Sequence, residues 1–73
     1  MLDTEALKLI GGNIRTIREA QGVSSRELAG KIGMINSNFN KIERGKHNIS
    51  VMRIIGIARA LGVSLNEIFE GTY

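Results

Sequence analysis

Apolar residues recur every three or four positions along nearly the whole 73-residue chain, and no segment alternates between apolar and polar positions. The first spacing is typical of one buried face of an α-helix, whereas strict alternation would indicate a half-buried strand. The chain has no proline to interrupt a helix, and hydrophobic residues make up 42% of it. This balance is globular rather than disordered. The pattern therefore predicts an all-α fold, and the length predicts that residues 1–73 form a single domain.

The first predicted helix begins with Thr4 as its cap, runs to about Ala20 and is ended by Gly22. Its buried stripe consists of Leu7, Ile10, Ile14 and Ile17. Gly11 and Gly12 lie in its middle, where each glycine costs about 0.5–1 kcal/mol relative to alanine. We therefore expect the first two turns to fray or kink.

Four shorter helices follow, each with apolar residues at helical spacing, and a glycine follows each of the first three. Ser24 opens the second in a capping box with Glu27, in which each side chain accepts a hydrogen bond from the other residue's backbone N–H. Ser50 and Ser64 cap the fourth and fifth helices. The second helix starts at Ser24, has Leu28, Ala29 and Ile32 as its apolar face and is stopped by Gly33. The third runs from Ile35 or Asn36 to Arg44 with Phe39 and Ile42 buried. The fourth runs from Ser50 to Ala60 or Leu61 with Val51, Ile54, Ile57, Ala58 and Leu61 facing the core, and the fifth runs from Ser64 to about Phe69.

Positive charge is concentrated in the middle of the chain. The formal net charge is +3, but residues 13–59 hold nine Lys or Arg side chains and three Glu, an excess of six positive charges. Both ends of the chain are acidic. Such a distribution suits a basic face turned towards phosphate groups, although a solvated surface of mixed charge has the same composition.

Few residues could carry catalysis or bind a metal. Without cysteine there is no disulfide, thiolate nucleophile or cysteine-based zinc site. His47 is the only histidine and has no partner at ligand spacing, Glu67 and Glu70 fit a solvated helix end, and Gly11-Gly12 lacks the Lys-Ser/Thr of a phosphate loop. We therefore expect no enzyme, no cofactor, no metal and no small-molecule substrate. The N-terminal stretch fits neither a signal peptide nor a membrane span, which predicts a cytoplasmic protein without a membrane partner.

The second and third helices are joined by a short turn at Gly33-Met34-Ile35, the arrangement in which the second helix of a helix-turn-helix enters the DNA major groove. If Phe39 and Ile42 point to the core, polar residues at the start of the third helix point outward. Asparagine pairs with adenine, lysine with guanine and serine with either base. A polar outer face is equally typical of any surface helix. The candidate base-reading residues are Asn36, Ser37, Asn40 and Lys41.

From about Ile10 to Phe69 the sequence resembles the Xre or phage-repressor-like (lambda repressor-like) family of helix-turn-helix regulators. The resemblance rests on several motifs in order: Ile14-Arg15, Ile17-Arg18, Gly22-Val23-Ser24, Glu27-Leu28-Ala29, Ile32-Gly33, residues 42–46 (IERGK), residues 57–65 (IARALGVSL) and Glu67-Ile68-Phe69. The Asn48-Ile49-Ser50 entry to the fourth helix also resembles the small controller regulators of restriction-modification operons.

This resemblance implies a five-helix DNA-binding domain whose partner is double-stranded DNA. It assigns base contacts to Asn36, Ser37 and Lys41, with Asn40 close by. It also implies a partly buried ion pair between Arg18 and Glu43, which would tie the first helix to the end of the recognition helix; Arg18 as a direct phosphate ligand is the alternative. The implied phosphate-contacting residues are Ser24, Ser25, Arg44, Lys46, His47 and Asn48.

Two residues depart from the family pattern. Ser25 stands where glutamine is common, so a bridging contact to phosphate and to the recognition helix is expected to be shortened or lost. Ile35 stands where Ser or Thr usually caps the recognition helix. Either Asn36 replaces it as the cap and no longer reads a base, or the helix starts uncapped and Ile35 contacts a thymine methyl or the core.

The fourth helix carries apolar side chains beyond those that the core needs. Met52 and Ile55, together with Leu65, Phe69 or Tyr73, are predicted to form a twofold interface that places two recognition helices about 34 Å apart. The sequence thus predicts a homodimeric repressor or autoregulator that binds a short palindromic operator. The alternatives are a slightly apolar monomer surface, or an adaptor or antitoxin-like subunit that binds another protein through Met52 and Ile55.

Overall fold

The computed structural model describes residues 4–73, and all regular structure in that range is helical. This confirms the all-α prediction. The helices are α1 (Thr4–Ala20), α2 (Ser25–Lys31), α3 (Asn36–Glu43), α4 (Val51–Leu61) and α5 (Leu65–Ile68).

Serine side chains begin three of the five helices as predicted. Ser24 and Ser64 both form capping boxes, with Glu27 and Glu67 as the reciprocal partners. The Ser50 hydroxyl accepts a hydrogen bond from the backbone N–H of Arg53. At α2 the Ser24 backbone N–H donates to the Glu27 carboxylate at 3.0 Å, and this bond lowers the pKa of Glu27. Local hydrogen bonding therefore fixes where these helices start.

A glycine follows the end of α2 and another follows the end of α3. Gly33 has φ +69° and Gly45 has φ +72°, the left-handed conformation that glycine adopts without steric cost. The next residues return hydrogen bonds to the preceding helix, from Met34 N–H to Ala29 O at 2.8 Å and from Lys46 N–H to Lys41 O at 2.9 Å. The lengths of α2 and α3 are thus set locally.

The structure corrects the prediction for the first helix. Thr4 lies within α1, so it is not the residue that precedes the helix, and that residue lies outside the described part of the chain. The helix is continuous through Gly11 and Gly12, and the fraying or kinking expected of its first two turns stays a prediction. Leu7 and Ile17 are half-buried rather than buried.

A single cluster of buried apolar side chains holds the five helices together. Its largest fully buried members come from α1, α2, α3, α4 and α5 in turn, namely Ile14, Leu28, Phe39, Ile57 and Ile68. Burying a side chain of this size contributes about 1.5–3 kcal/mol. Val51 does not join this core, because it lies at the first position of α4 and is 70% exposed. Since Phe39 is fully buried, α3 is anchored to the cluster by its inner face.

Polar side chains also bind helix carbonyl groups that no intrahelical donor reaches. The Asn13 amide donates to the carbonyls of Ile68 and Glu70, both at 2.8 Å. Gln21 donates to Leu61 O at 2.7 Å, and Arg53 donates to Ile32 O at 2.7 Å. These bonds join the ends of α5, α4 and α2 to neighbouring helices. No local sequence motif predicts them, because their partners lie far apart in the chain.

Candidate nucleic-acid interface

The start of α3 has no side-chain cap. Ile35 occupies the N-cap position with an extended backbone and makes no side-chain cap hydrogen bond. Its side chain is 70% exposed, so it does not belong to the core. Of the two alternatives at this position, the structure has the helix that starts uncapped, with Asn36 inside α3 rather than at its cap.

Asn36 is joined to the first residue of α2. The Ser25 hydroxyl donates a hydrogen bond to Asn36 Oδ1 at 3.2 Å, and both residues are half-buried. The contact between the two helices is therefore present, although Ser25 is shorter than glutamine. Because this hydrogen bond uses only the side-chain oxygen of Asn36, its two amide N–H donors remain available to a ligand.

The remaining candidate base-reading residues lie on the outer face of α3. Ser37 and Lys41 are exposed, and Asn40 is half-buried. Asn38, which the sequence did not single out, is exposed beside them. Phe39 and Ile42 lie on the opposite face in the core. The helix thus presents hydroxyl, amide and ammonium groups to solvent from a backbone that the core holds in place.

Shallow depressions border this face on two sides. One is lined by Ser25, Asn40 and Arg44 together with α1 residues. The other is lined by Lys41, His47 and Asn48 together with residues of the loop and α4. The structure thus places six of the candidate side chains on or beside α3. Ser24 and Lys46 are exposed on the flanking turns, and the Ser24 hydroxyl also serves the α2 cap.

Arg18 and Glu43 form an ion pair beneath this face. Arg18 Nε donates to Glu43 Oε2 at 2.7 Å and Nη2 donates to Oε1 at 3.0 Å. Nη1 donates to Val23 O at 2.8 Å. The side chains are only 11% and 7% exposed. The hydrogen bonds to Glu43 raise the pKa of Arg18 and outweigh the opposing effect of burial. The guanidinium therefore stays charged and bound to the last residue of α3.

Arg15 is a candidate residue that the sequence analysis did not assign. It lines the same depression as Ser25, Asn40 and Arg44. Its Nε lies 3.2 Å from Glu19 Oε2 on the next turn, and both side chains of this pair are more than half exposed. Such an exposed pair contributes at most about 1 kcal/mol, so it holds the Arg15 side chain only weakly. The available signal was its spacing of three residues from Arg18, which makes the two side chains neighbours on the surface of α1.

The residues assigned to a dimer interface differ in exposure. Met52 is 74% and Leu65 is 42% exposed. Ile55 is half-buried, and Phe69 is partly buried against the core. Tyr73 is 92% exposed. Apolar surface is therefore available mainly at Met52, Leu65 and Tyr73.

Within residues 4–73, no three or more His, Asp or Glu side chains are grouped so that they could hold a metal ion. None of the helices in this range is both long and apolar enough to cross a membrane.

Comparison with sequence families gives a match to the helix-turn-helix model HTH_3 over residues 14–68. An uncharacterised HTH-type transcriptional regulator, y4dJ of Sinorhizobium fredii (strain NBRC 101917 / NGR234), is 32% identical over 65 residues, which are 89% of this chain and 84% of that protein. The chain spans about half the length of two similar HTH-type regulators from Rickettsia conorii and Rickettsia prowazekii.

Solved structures give the same fold. The restriction-modification controller protein C.AhdI from Aeromonas hydrophila has a TM-score of 0.82 and 35% identity, over 86% of this chain and 96% of that one. SinR, a master regulator for biofilm formation that was solved in complex with DNA, has a TM-score of 0.77 and 32% identity, over 84% of this chain and 98% of that one.

Proposed function

Because the chain belongs to the HTH_3 family of DNA-binding helix-turn-helix transcriptional regulators, a non-enzymatic class, we propose that it binds a short palindromic operator sequence-specifically. In this proposal it binds as a homodimer, with α3 of each protomer in the major groove. It then acts as a repressor or autoregulator, because an occupied operator that overlaps a promoter excludes the polymerase.

The observation that carries the proposal is the polar outer face of α3. Ser37 and Lys41 are exposed and Asn40 is half-buried, and these are side-chain types that hydrogen-bond base edges in the major groove. The opposite face is fixed by Phe39, which is fully buried. A recognition helix needs both a polar outer face and a buried inner face, because its side chains must reach the bases from a rigidly held backbone.

The flanking residues suit the DNA backbone. Exposed Arg44 and Lys46 follow α3, and Ser25 and Arg15 line the same depression as Arg44. Phosphate contacts fix the register of the protein without reading sequence. Each phosphate that they neutralise adds about −0.9 to the slope of log K against log salt, so binding is expected to weaken steeply as salt rises.

A dimer supports both affinity and specificity. A module of this size buries little DNA surface, and two linked half-sites multiply its affinity. Exposed Met52 and Leu65 offer apolar surface for a twofold contact. The symmetry of such a dimer would be mirrored by a palindrome with half-sites about one helical turn apart. With DNA as the target, the expected compartment is the cytoplasm.

Selection of bound duplexes from a random pool, with the molar mass of the protein measured alongside, tests the proposal. The expected result is an enriched palindrome and a mass of twice the 8.0 kDa of one chain. Binding without any sequence preference would contradict it. If that result came with tight binding to another protein through Met52 and Ile55, the adaptor or antitoxin-like alternative would replace it.

A further inference from the structure

Gly11 lies where α1 meets the C-terminal end of α3. A Cβ atom built on Gly11 would lie 2.3 Å from the carbonyl oxygen of Ile42 and 2.6 Å from that of Glu43. Both are backbone atoms, which cannot rotate away as the end of a flexible side chain can. A side chain at this position therefore requires α1 and the last turn of α3 to move apart.

A second glycine lies on the other side of this contact. A Cβ atom on Gly45, two residues after α3, would lie 2.8 Å from both the Cα and the backbone N of Lys8. Lys8 precedes Gly11 by three residues, so both lie on one face of α1. The backbones of α1 and of the end of α3 thus approach each other closely, with Gly11 contributed by α1 and Gly45 by the turn after α3.

The same face of α1 continues to the ion pair. Ile14, three residues after Gly11, is fully buried, and Arg18, four residues further, holds the Glu43 carboxylate. Helix α1 therefore holds the end of α3 at successive turns, first by backbone contact and then by a charged hydrogen bond. Residues held by several neighbours in this way have a fixed orientation.

We propose that Gly11 is a positioning residue for DNA recognition, because its missing side chain sets how closely α3 lies against α1. The inference rests on the proposed function. Asn40 and Lys41 lie in the same last turns of α3 as the carbonyls that Gly11 faces. Lengthening the 2.3 Å approach to an ordinary contact of 3.4 Å moves that turn by about 1 Å, which exceeds the roughly 0.5 Å precision that a preorganised site tolerates.

Gly12 provides the matched control. It is the neighbouring residue in the same helix, yet a Cβ atom built there meets nothing within 4 Å. Gly11→Ala and Gly12→Ala thus make the same chemical change one residue apart, with a clash in one case and open space in the other. Both remove a flexible glycine from α1, so the difference between them reports the contact with α3.

The experiment measures affinity for a duplex selected by the wild-type protein and for a scrambled duplex, at a temperature where thermal unfolding curves show each variant folded. We expect Gly11→Ala to weaken binding to the selected duplex by about tenfold or more, the effect of losing one aligned base contact. Its affinity for the scrambled duplex should stay within about twofold, because that binding is mainly to phosphate. Gly12→Ala should match the wild type on both duplexes.

Other outcomes overturn the inference. A folded Gly11→Ala variant with wild-type preference would show that α3 is positioned without Gly11, and equal losses on both duplexes would show a general rather than a positioning effect. If the wild-type protein itself has no preference, the proposed function fails instead. The two failures are therefore distinguishable.

A second pair of variants applies if Gly11→Ala does not fold. Gly45→Ala probes the contact from the other side, and Gly62→Ala is its control, since Gly62 has a similar φ of +69° but nothing within 4 Å of a built Cβ. Gly45→Ala should lose preference for the selected duplex while Gly62→Ala keeps it. Failure of Gly45→Ala to fold where Gly62→Ala folds would make the contact a folding requirement and overturn the positioning role.

Discussion

Arg18 is the residue that most directly connects the core to the candidate interface. It binds Glu43 through two nitrogen atoms and Val23 O through the third. The resemblance implied this pair from the two motifs that contain the residues. It did not imply the bond to the Val23 carbonyl, because that bond depends on how the chain turns after α1. Three of its five N–H donors are used in these bonds, and the alternative role of Arg18 as a phosphate ligand stays a prediction.

Replacing Glu43 tests the value of the pair. Glu43→Gln keeps the shape of the side chain but leaves the guanidinium without its counterion in a site that is about one-tenth exposed. We expect a loss of about 3–5 kcal/mol in the free energy of unfolding, measured by urea denaturation. Glu19→Gln removes the exposed partner of Arg15 and should cost at most about 0.5 kcal/mol. Equal losses in the free energy of unfolding of the two variants would show that the buried pair stabilises the fold no more than the exposed pair.

At the scale of helices, local signals were sufficient for most boundaries. Ser24, Ser50 and Ser64 cap their helices through bonds to residues three positions on, so a short window of sequence contains both partners. The carbonyl contacts of Asn13 and Gln21 join residues 40 or more positions apart. The cost of Gly11 to an isolated helix is local and can be inferred from sequence, whereas its contact with α3 arises only in the folded chain.

The uncapped start of α3 leads to a prediction of increased stability. Ile35→Ser would supply a hydroxyl to an N–H of the first turn, in a backbone conformation that already suits a cap. We expect a gain of about 0.5–2 kcal/mol, seen as a higher melting temperature. Ile35→Ala is the control, because it removes the same exposed apolar side chain without adding an acceptor. If the serine variant were no more stable than the alanine variant, the start of α3 would not be limited by the missing cap.

At the scale of the whole molecule, the sequence predicted the fold and the location of the candidate interface more completely than it predicted assembly. The basic excess in residues 13–59 coincides with the helix-turn-helix and its flanks. Surplus apolar residues on α4 indicated an interface, but Ile55 and Phe69 are partly covered within the chain itself. Periodicity separates the buried face of a helix from its exposed face, and it does not say which partner covers the exposed apolar residues.

The proposed dimer is tested by placing a charge on its face. Met52→Glu adds a carboxylate where the side chain is 74% exposed in the single chain, so folding should be unchanged while association is lost. Light scattering should then give the mass of one chain, and the two half-sites of an operator should be filled independently. Ile35→Glu, at a position of similar exposure before α3 and outside the proposed dimer face, should leave the dimer intact. A dimer that survives Met52→Glu would require a different interface.

The central claim is that the outer face of α3 reads bases while its flanks bind phosphate. The most direct measurement compares the affinities of two double variants, Asn40→Ala/Lys41→Ala and Arg44→Ala/Lys46→Ala, for a selected and a scrambled duplex across a range of salt. The first should lose about tenfold or more of the preference for the selected duplex. The second should keep that preference, bind both duplexes more weakly and lower the salt slope by about 0.9 for each phosphate contact removed. Unchanged preference in the Asn40→Ala/Lys41→Ala variant would contradict the assignment of α3 as the reading helix.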